Sequence, residues 1–290
     1  MIIPECDLLG IGLSVLDQSL FVDHHPNKDE KTNALSKVES VGGPSCIGTL
    51  CANRLGLKTS LISAIGKDLA GSFIRTEQAK FNRHELIEVQ ANESSQATII
   101  IKPDGCRTVI ASPARGLIDK AINFDKNPKL ILCDGRLANM YYELIKKMKQ
   151  LGSQIILDAG SANSGILKLL PLCDFLICSS KFAVQYTRKD SYKEAYISLA
   201  EEFSQFAMTV GSEGCYYQSN NTKGHLKAHK IKIKNSNSAG DFFHGAFATA
   251  IFREYTFEKA LEKANEVAAW HCTNKDSMES LNKIRLQKFF

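Results

Sequence analysis

Apolar positions along the chain follow two rhythms. Runs dense in Leu, Ile and Val occur at DLLGIGLSVL (7–16), TSLISAIG (59–66), KLILCDG (129–135), SQIILDAG (153–160), DFLICSS (174–180) and FAMTVGSEG (206–214). Each is short and ends in small or polar residues, which predicts buried strands. Between them, Ser45 to Leu55, Ala138 to Leu151 and Tyr192 to Phe203 space their apolar residues at helical intervals. Strand and helix in alternation imply parallel strands joined by crossover helices, hence an α/β sheet covered on both faces. Ligands of such sheets gather beyond the carboxyl ends of the strands. Here that rim would collect Asp134-Gly135-Arg136, Asp158-Ala159-Gly160, Ser179-Ser180 and Gly211-Ser212-Glu213-Gly214.

Two segments depart from this alternation. QATIIIKPDGCRTVIA (96–111) carries Pro103-Asp104-Gly105 between two β-type runs, which predicts a hairpin. LDQSLFVDHH (16–25) and KTNALSKVES (31–40) also read as extended and partly polar. Together they predict a small accessory sheet. With no internal repeat or long linker, one domain over 1–290 is expected, with lid segments at about 14–40 and 95–112.

Composition, at 44% hydrophobic and 23% charged, is that of a soluble globular protein. The net charge of +5 is spread among acids. HLKAHKIKIK (225–234) alternates Lys with Ile or Ala and is read as the solvated face of a strand, not a nucleic-acid patch. No apolar run approaches the roughly 20 residues that span a bilayer. MIIPECDLLG lacks the basic region of a signal peptide. Nine cysteines without a C-x-x-C pair argue against zinc and against a disulfide framework. A cytoplasmic protein without nucleic-acid or membrane partners is expected.

Candidate chemistry begins at KNSNSAGDFFHGAF (234–247). After Asp241, Phe242, Phe243, Ala246, Phe247, Ala250 and Ile251 recur at helical steps, so Asp241 falls in a first turn whose amides lack intrahelical partners. Those amides and the helix dipole suit an anion, although Asp241 could equally be a plain cap. In VGGPSCIGTLCANRLG (41–56), Gly42-Gly43 open a helix and allow a ligand close to the backbone. Thr209 to Gly214 follow a strand and offer amides and a hydroxyl to a phosphate or ribose. Gly10-Ile11-Gly12 has no third glycine in step and is no dinucleotide fingerprint, and a Walker-type loop is absent.

The order of these pieces resembles one family. Asp17 on an early strand, Gly-Gly opening a helix that ends R-L-G, A-I-G-K-D-x-x-G (64–71), T-V-G-S-E-G and A-G-D are similar to the ribokinase-like, PfkB-type carbohydrate kinases along nearly the whole chain. VGGP, SSQATIII with its hairpin, CDGR and AGDFFHGA look closest to the ketohexokinase and sulfofructose kinase branches. The resemblance implies a three-layer α/β/α domain with a small β-sheet lid. It also implies ATP- and Mg2+-dependent phosphoryl transfer to a hydroxymethyl group of a ketohexose or a related sulfo- or phospho-sugar, and a homodimer built through the lid.

Residue by residue, the resemblance makes Asp241 the general base, and the amides of Ser238, Ala239 and Gly240 the anion hole. Asp17, Gly42 and Gly43 would approach the sugar. Thr209, Gly211, Ser212, Gly214 and Asn265 would hold the nucleotide, and Asp158 would lie near magnesium-bound waters. The departures are as informative. Ser238 replaces a glycine of the anion hole. The family's N-x-x-E would run from Ser179 to Phe182, without either defining residue. The sugar-binding asparagine of ribokinases falls at Ile47, and a glycine of the monovalent-cation loop falls at Asp276. These argue against potassium activation and against ribose as the substrate. Arg136, at a strand's carboxyl end, could grip an oxyanion bidentately, with Lys31 of the lid joining it. The competing readings are a degenerate fold that binds nucleotide or sugar without turnover, and a nucleoside kinase.

Overall fold

The structure, a computed structural model, describes residues 1–104, 106–220 and 222–290. Its strands are, in chain order, β1 (Ile2–Ile3), β2 (Leu8–Ile11), β3 (Val15–Phe21), β4 (Ser36–Gly42), β5 (Thr59–Gly66), β6 (His84–Ala91), β7 (Ser95–Ile101) and β8 (Arg107–Ser112). They continue as β9 (Asn123–Phe124), β10 (Leu130–Cys133), β11 (Gln154–Ala159), β12 (Phe175–Ser179), β13 (Gln205–Thr209), β14 (Cys215–Ser219) and β15 (Thr222–Leu226). The helices are α1 (Pro44–Arg54), α2 (Leu69–Gln78), α3 (Ala138–Gln150), α4 (Ser164–Leu169), α5 (Ser180–Thr187), α6 (Tyr192–Glu202), α7 (Ala239–Phe252), α8 (Phe257–Cys272) and α9 (Ser277–Lys283).

Among the described residues, nine strands form the main sheet in the order β15-β14-β13-β12-β11-β10-β2-β5-β6. From β13 to β6 neighbours are parallel, while β14 and β15 close one edge antiparallel. The central strands have no polar face, because alternate residues enter different cores. Leu8, Leu61, Leu130, Leu132, Ile156 and Ile177 pack with α1, α7, α8 and α9. Leu9, Ile62, Ile131, Cys133, Ile155, Leu157 and Leu176 pack with α3, α4, α5 and α6. The result is a three-layer α/β/α arrangement. Cys133 and Cys178 are small buried hydrophobes within it.

The accessory segments form a second, four-stranded sheet in the order β4-β3-β7-β8. β3 lies parallel to β7; the outer pairs are antiparallel. β7 and β8 make the expected hairpin, although its turn includes Gly105, which lies outside the described residues. One expectation is overturned: HLKAHKIKIK is not a strand beyond Leu226. Its backbone is bound to α8 instead. The Lys227 carbonyl accepts from Asn265 Nδ2 at 2.9 Å, and the Lys234 and Asn235 amides donate to the Cys272 carbonyl at 2.8 and 3.3 Å. Lys–Ile alternation could not reveal that tertiary competition.

Register fixes the rim. Cys133 lies opposite Ile11 on one side and Leu157 on the other, so Gly12, Asp134 and Asp158 emerge at one level. Ser179 pairs with Thr209 beside them.

Candidate active site

An open cleft of about 660 Å³ separates the rim of the main sheet from the small sheet. Its floor holds Asp158, Ser179, Thr209 and the 236–241 turn; Arg136 stands at its side. Its roof is one face of the small sheet, read out with a period of two. Val15 and Asp17 come from β3, Ser95, Ala97 and Ile99 from β7, and Arg107, Val109 and Ala111 from β8. The cleft therefore unites Asp17, Gly43, Arg136, Asp158, Ser179, Thr209, Ser238, Ala239, Gly240 and Asp241 from the sequence reading.

The paired glycines have steric reasons. A Cβ at Gly42 would stand 2.1 Å from Asp17 Oδ2. Gly43 adopts φ 103°, and a Cβ there would meet the Leu13 carbonyl at 2.1 Å. The first glycine admits the Asp17 carboxylate, and the second lets the chain turn into α1.

Asp241 lies in the first turn of α7, whose N-cap is Ser238. Ser238 has φ 62° and ψ 8°, the left-handed conformation that a non-glycine residue adopts only at a cost. Where the chain departs from the family turn, serine thus occupies a backbone conformation that favours glycine. The Ser238 side chain makes no cap bond to α7; the Ala239 amide reaches the Ser236 carbonyl at 3.4 Å, while the Gly240 and Asp241 amides have no hydrogen-bond partner among the described residues.

Four carboxylates share this region. Burial pushes Asp158 and Asp241 well above the usual carboxylate range, and mutual repulsion among Asp158, Asp241 and Asp134 adds to it. The Ser238 hydroxyl and His244 act in the opposite direction on Asp241. Asp17 is pushed up to about 7, first by burial and then by the Asp241 charge, with the Arg107 guanidinium opposing. Asp134 is already committed. It accepts from the amides of Leu13 (3.1 Å), Ser45 (3.3 Å) and Arg136 (3.0 Å), tying the end of β2, the start of α1 and the loop after β10 together.

The sequence reading put Asp134 on the rim without a role and left out Arg107 and His244. Arg107 could have been found from the alternation of β8. His244, one helical turn beyond Asp241, places Nδ1 at 2.7 Å from the Gly240 carbonyl and 3.4 Å from Asp158 Oδ2, and Nε2 at 3.3 Å from the Ile177 carbonyl. Neither Arg107 nor Arg136 has a carboxylate within ion-pair distance among the described residues.

Other expected site residues lie elsewhere. Ile47 is wholly buried in the core between α1 and α7 and cannot touch a sugar. Lys31 is exposed in the loop between β3 and β4, outside the cleft. Gly211, Ser212 and Gly214 form the turn after β13 but do not line the cleft. Asn265 borders a separate cavity of about 380 Å³ with Leu226, Lys227 and His229. Ser179 is bound as the N-cap of α5, accepting from the Phe182 amide at 3.0 Å and donating to the Gly160 carbonyl at 2.9 Å.

Oxygen donors at the floor have the chemistry that magnesium prefers, but no three acidic, His or Cys side chains among the described residues converge into a cage. Asp158, the expected neighbour of magnesium-bound waters, lies on the cleft floor. No helix among the described residues is long and apolar enough to cross a membrane.

A model of the pfkB family carbohydrate kinases matches residues 7–284. A deoxyribokinase of Salmonella typhi is 22% identical over 294 residues, covering 96% of each chain. A ribokinase of Dictyostelium discoideum is 24% identical over 312 residues, covering 96% of this chain and 98% of its own. The structure of Arabidopsis thaliana ribokinase complexed with ribose and ATP superposes with a TM-score of 0.77 at 19% identity, over 97% of this chain and 96% of its own. These relatives are ribokinases and a deoxyribokinase, where the sequence reading favoured the ketohexokinase and sulfofructose kinase branches.

Proposed function

The chain belongs to the pfkB family of carbohydrate kinases, and on that premise we propose that it transfers the γ-phosphoryl group of ATP to a hydroxymethyl group of a sugar, with Asp241 as the base. The observation that carries this is the placement of a half-buried Asp241 in the first turn of α7, at the floor of the cleft opposite the small sheet. Asp241 accepts the proton of the sugar hydroxyl as that oxygen bonds to the γ-phosphorus; the bond to the bridging oxygen breaks and ADP leaves. Phosphoryl transfer is catalysed chiefly by positioning and charge stabilisation. The amides of Ser238, Ala239 and Gly240 supply the second, and Asp17 with Gly43 the first. Magnesium, when bound, neutralises phosphate charge; Asp158 is the carboxylate placed to hold its waters.

The named relatives point to a pentose or deoxypentose as acceptor. A second reading, a sugar carrying an anionic group, is favoured by Arg107 and Arg136, two guanidiniums that line the cleft with no carboxylate within ion-pair distance among the described residues. An ADP-release screen with pentoses, deoxypentoses, ketohexoses, phospho- and sulfo-sugars and nucleosides separates these readings. ADP release with no member of the panel would leave a binding protein without turnover. A homodimer through the small sheet is supported by the exposed outer strand β8, with Ile110 62% exposed. Ile110→Lys should then lower the sedimentation coefficient to that of a monomer, and an unchanged value rejects the interface.

A further inference from the structure

We propose that His271 is a positioning residue: from behind the cleft it holds the Ser238–Asp241 turn in the conformation that phosphoryl transfer uses. This rests on the reading of that turn as the anion hole and base. His271 lies in the last turn of α8 with none of its surface exposed. It meets the turn on both sides. Its Nε2 is 2.5 Å from the Asn237 carbonyl, the peptide immediately before Ser238. Its ring stacks on Phe242, the residue immediately after Asp241, with centroids 4.1 Å apart and planes 8° from parallel.

A peptide carbonyl can only accept, so Nε2 carries the hydrogen. Burial pushes the His271 pKa down, which keeps the ring neutral. Nδ1 then accepts from the Ser280 hydroxyl, 2.7 Å away at the centre of α9. The imidazole thus spans from α9 to the turn.

Why the turn needs such a support follows from its own chemistry. Ser238 is a serine at φ 62°, without a side-chain cap bond to α7, so local preference alone draws it toward another conformation. The preceding strand of chain is laid along the same end of α8, where the Cys272 carbonyl accepts from Lys234 and Asn235. Carbonyls at a helix C-terminus are free to do this. Beyond them, His271 is the side chain that reaches the peptide adjoining the anion hole.

The test compares two variants. His271→Phe keeps a ring against Phe242 but loses the donor, whereas His271→Gln can present an amide N–H near the Nε2 position. A misplacement of about an ångström can cost on the order of 100-fold in rate. His271→Phe should therefore lower kcat by about 10- to 100-fold and leave both KM values within about threefold. His271→Gln should recover most of that loss. Hydrogen exchange supplies a readout independent of turnover: the Ala239 and Phe242 amides, which donate to the Ser236 and Ser238 carbonyls at 3.4 and 3.0 Å, should exchange at least tenfold faster in His271→Phe than in wild type. Should His271→Phe fail to fold, Ser280→Ala removes the Nδ1 partner and should move exchange and kcat in the same direction by less. Unchanged exchange at Ala239 and Phe242 in a folded variant overturns the proposal, as does a loss confined to KM or equal impairment of the Phe and Gln variants. Faster exchange with a catalytically normal Asp241→Asn enzyme would uphold the support and reject the assignment of the base.

Discussion

Ser238→Gly isolates the cost of placing serine in a left-handed turn. At φ 62° an L-residue loses roughly 1–2 kcal/mol relative to its preferred regions, and glycine removes that loss. Glycine also makes the unfolded chain more disordered, which costs about 0.5–1 kcal/mol. The difference leaves a net stabilisation of about 0.5–1 kcal/mol. For a chain of this size that is roughly 1–3 °C in Tm. Because glycine adopts the same backbone conformation without strain and the His271 contacts are untouched, the anion-hole geometry should not change. The lost hydroxyl is one of the groups that lower the Asp241 pKa, so the base should titrate slightly higher. Thermal unfolding followed by circular dichroism reads the first effect, and kcat against pH reads the second. A lower Tm would show that the hydroxyl makes a contact outweighing the backbone strain. A fall in kcat beyond tenfold at a pH where Asp241 is ionised would give the hydroxyl a part in the chemistry.

Three further outcomes follow from the charges in the cleft. Arg136 is exposed at the side of the cleft, where a hydrogen bond from its guanidinium to a substrate oxyanion is worth about 1.5–3 kcal/mol, so Arg136→Ala should raise KM for an anionic sugar by about tenfold or more and spare KM for ATP; equal, small losses for charged and neutral sugars would make Arg136 an ordinary surface residue. Asp17 titrates near 7 when folded and near 3.9 when unfolded. The folded chain thus binds this proton more tightly, and stability falls as pH rises through that window. Asp17→Asn should consequently stabilise the protein at pH 8, by at most about 4 kcal/mol, and hardly at pH 4; urea denaturation giving the same difference at both values refutes this. The raised Asp241 pKa also predicts that kcat/KM climbs with pH through the near-neutral range, since only the carboxylate can accept the proton. A flat profile between pH 5 and 8 would contradict it.

Much of the fold was legible because its strands are buried on both faces. KLILCDG and SQIILDAG carry unbroken apolar runs that only a covered parallel sheet accommodates, and they became β10 and β11. The small sheet was readable from its hairpin. Of the site, Asp241 announced itself by helical spacing, and Gly42-Gly43 by the turn they open. The residues that escaped are those whose role is set by another element. Arg107 gains its meaning from the cleft beneath β8, Asp134 from three amides distant in sequence, and His271 from a carbonyl 34 positions away. Ile47 failed in the opposite sense: the resemblance put it where ribokinases carry a sugar-binding asparagine, but an isoleucine on the α1 face toward α7 completes the core.

The central claim is that Asp241 takes the proton, and Asp241→Asn tests it most directly. The substitution keeps the side chain's size and its capacity to cap α7 while removing the base. With the sugar identified by the screen, initial rates of ADP release should give kcat lower by about 10²–10⁴-fold, the range for loss of a general base. KM for ATP should stay within about threefold. An Asp241→Asn enzyme that turns over at near the wild-type rate would reduce Asp241 to a helix cap and contradict the account.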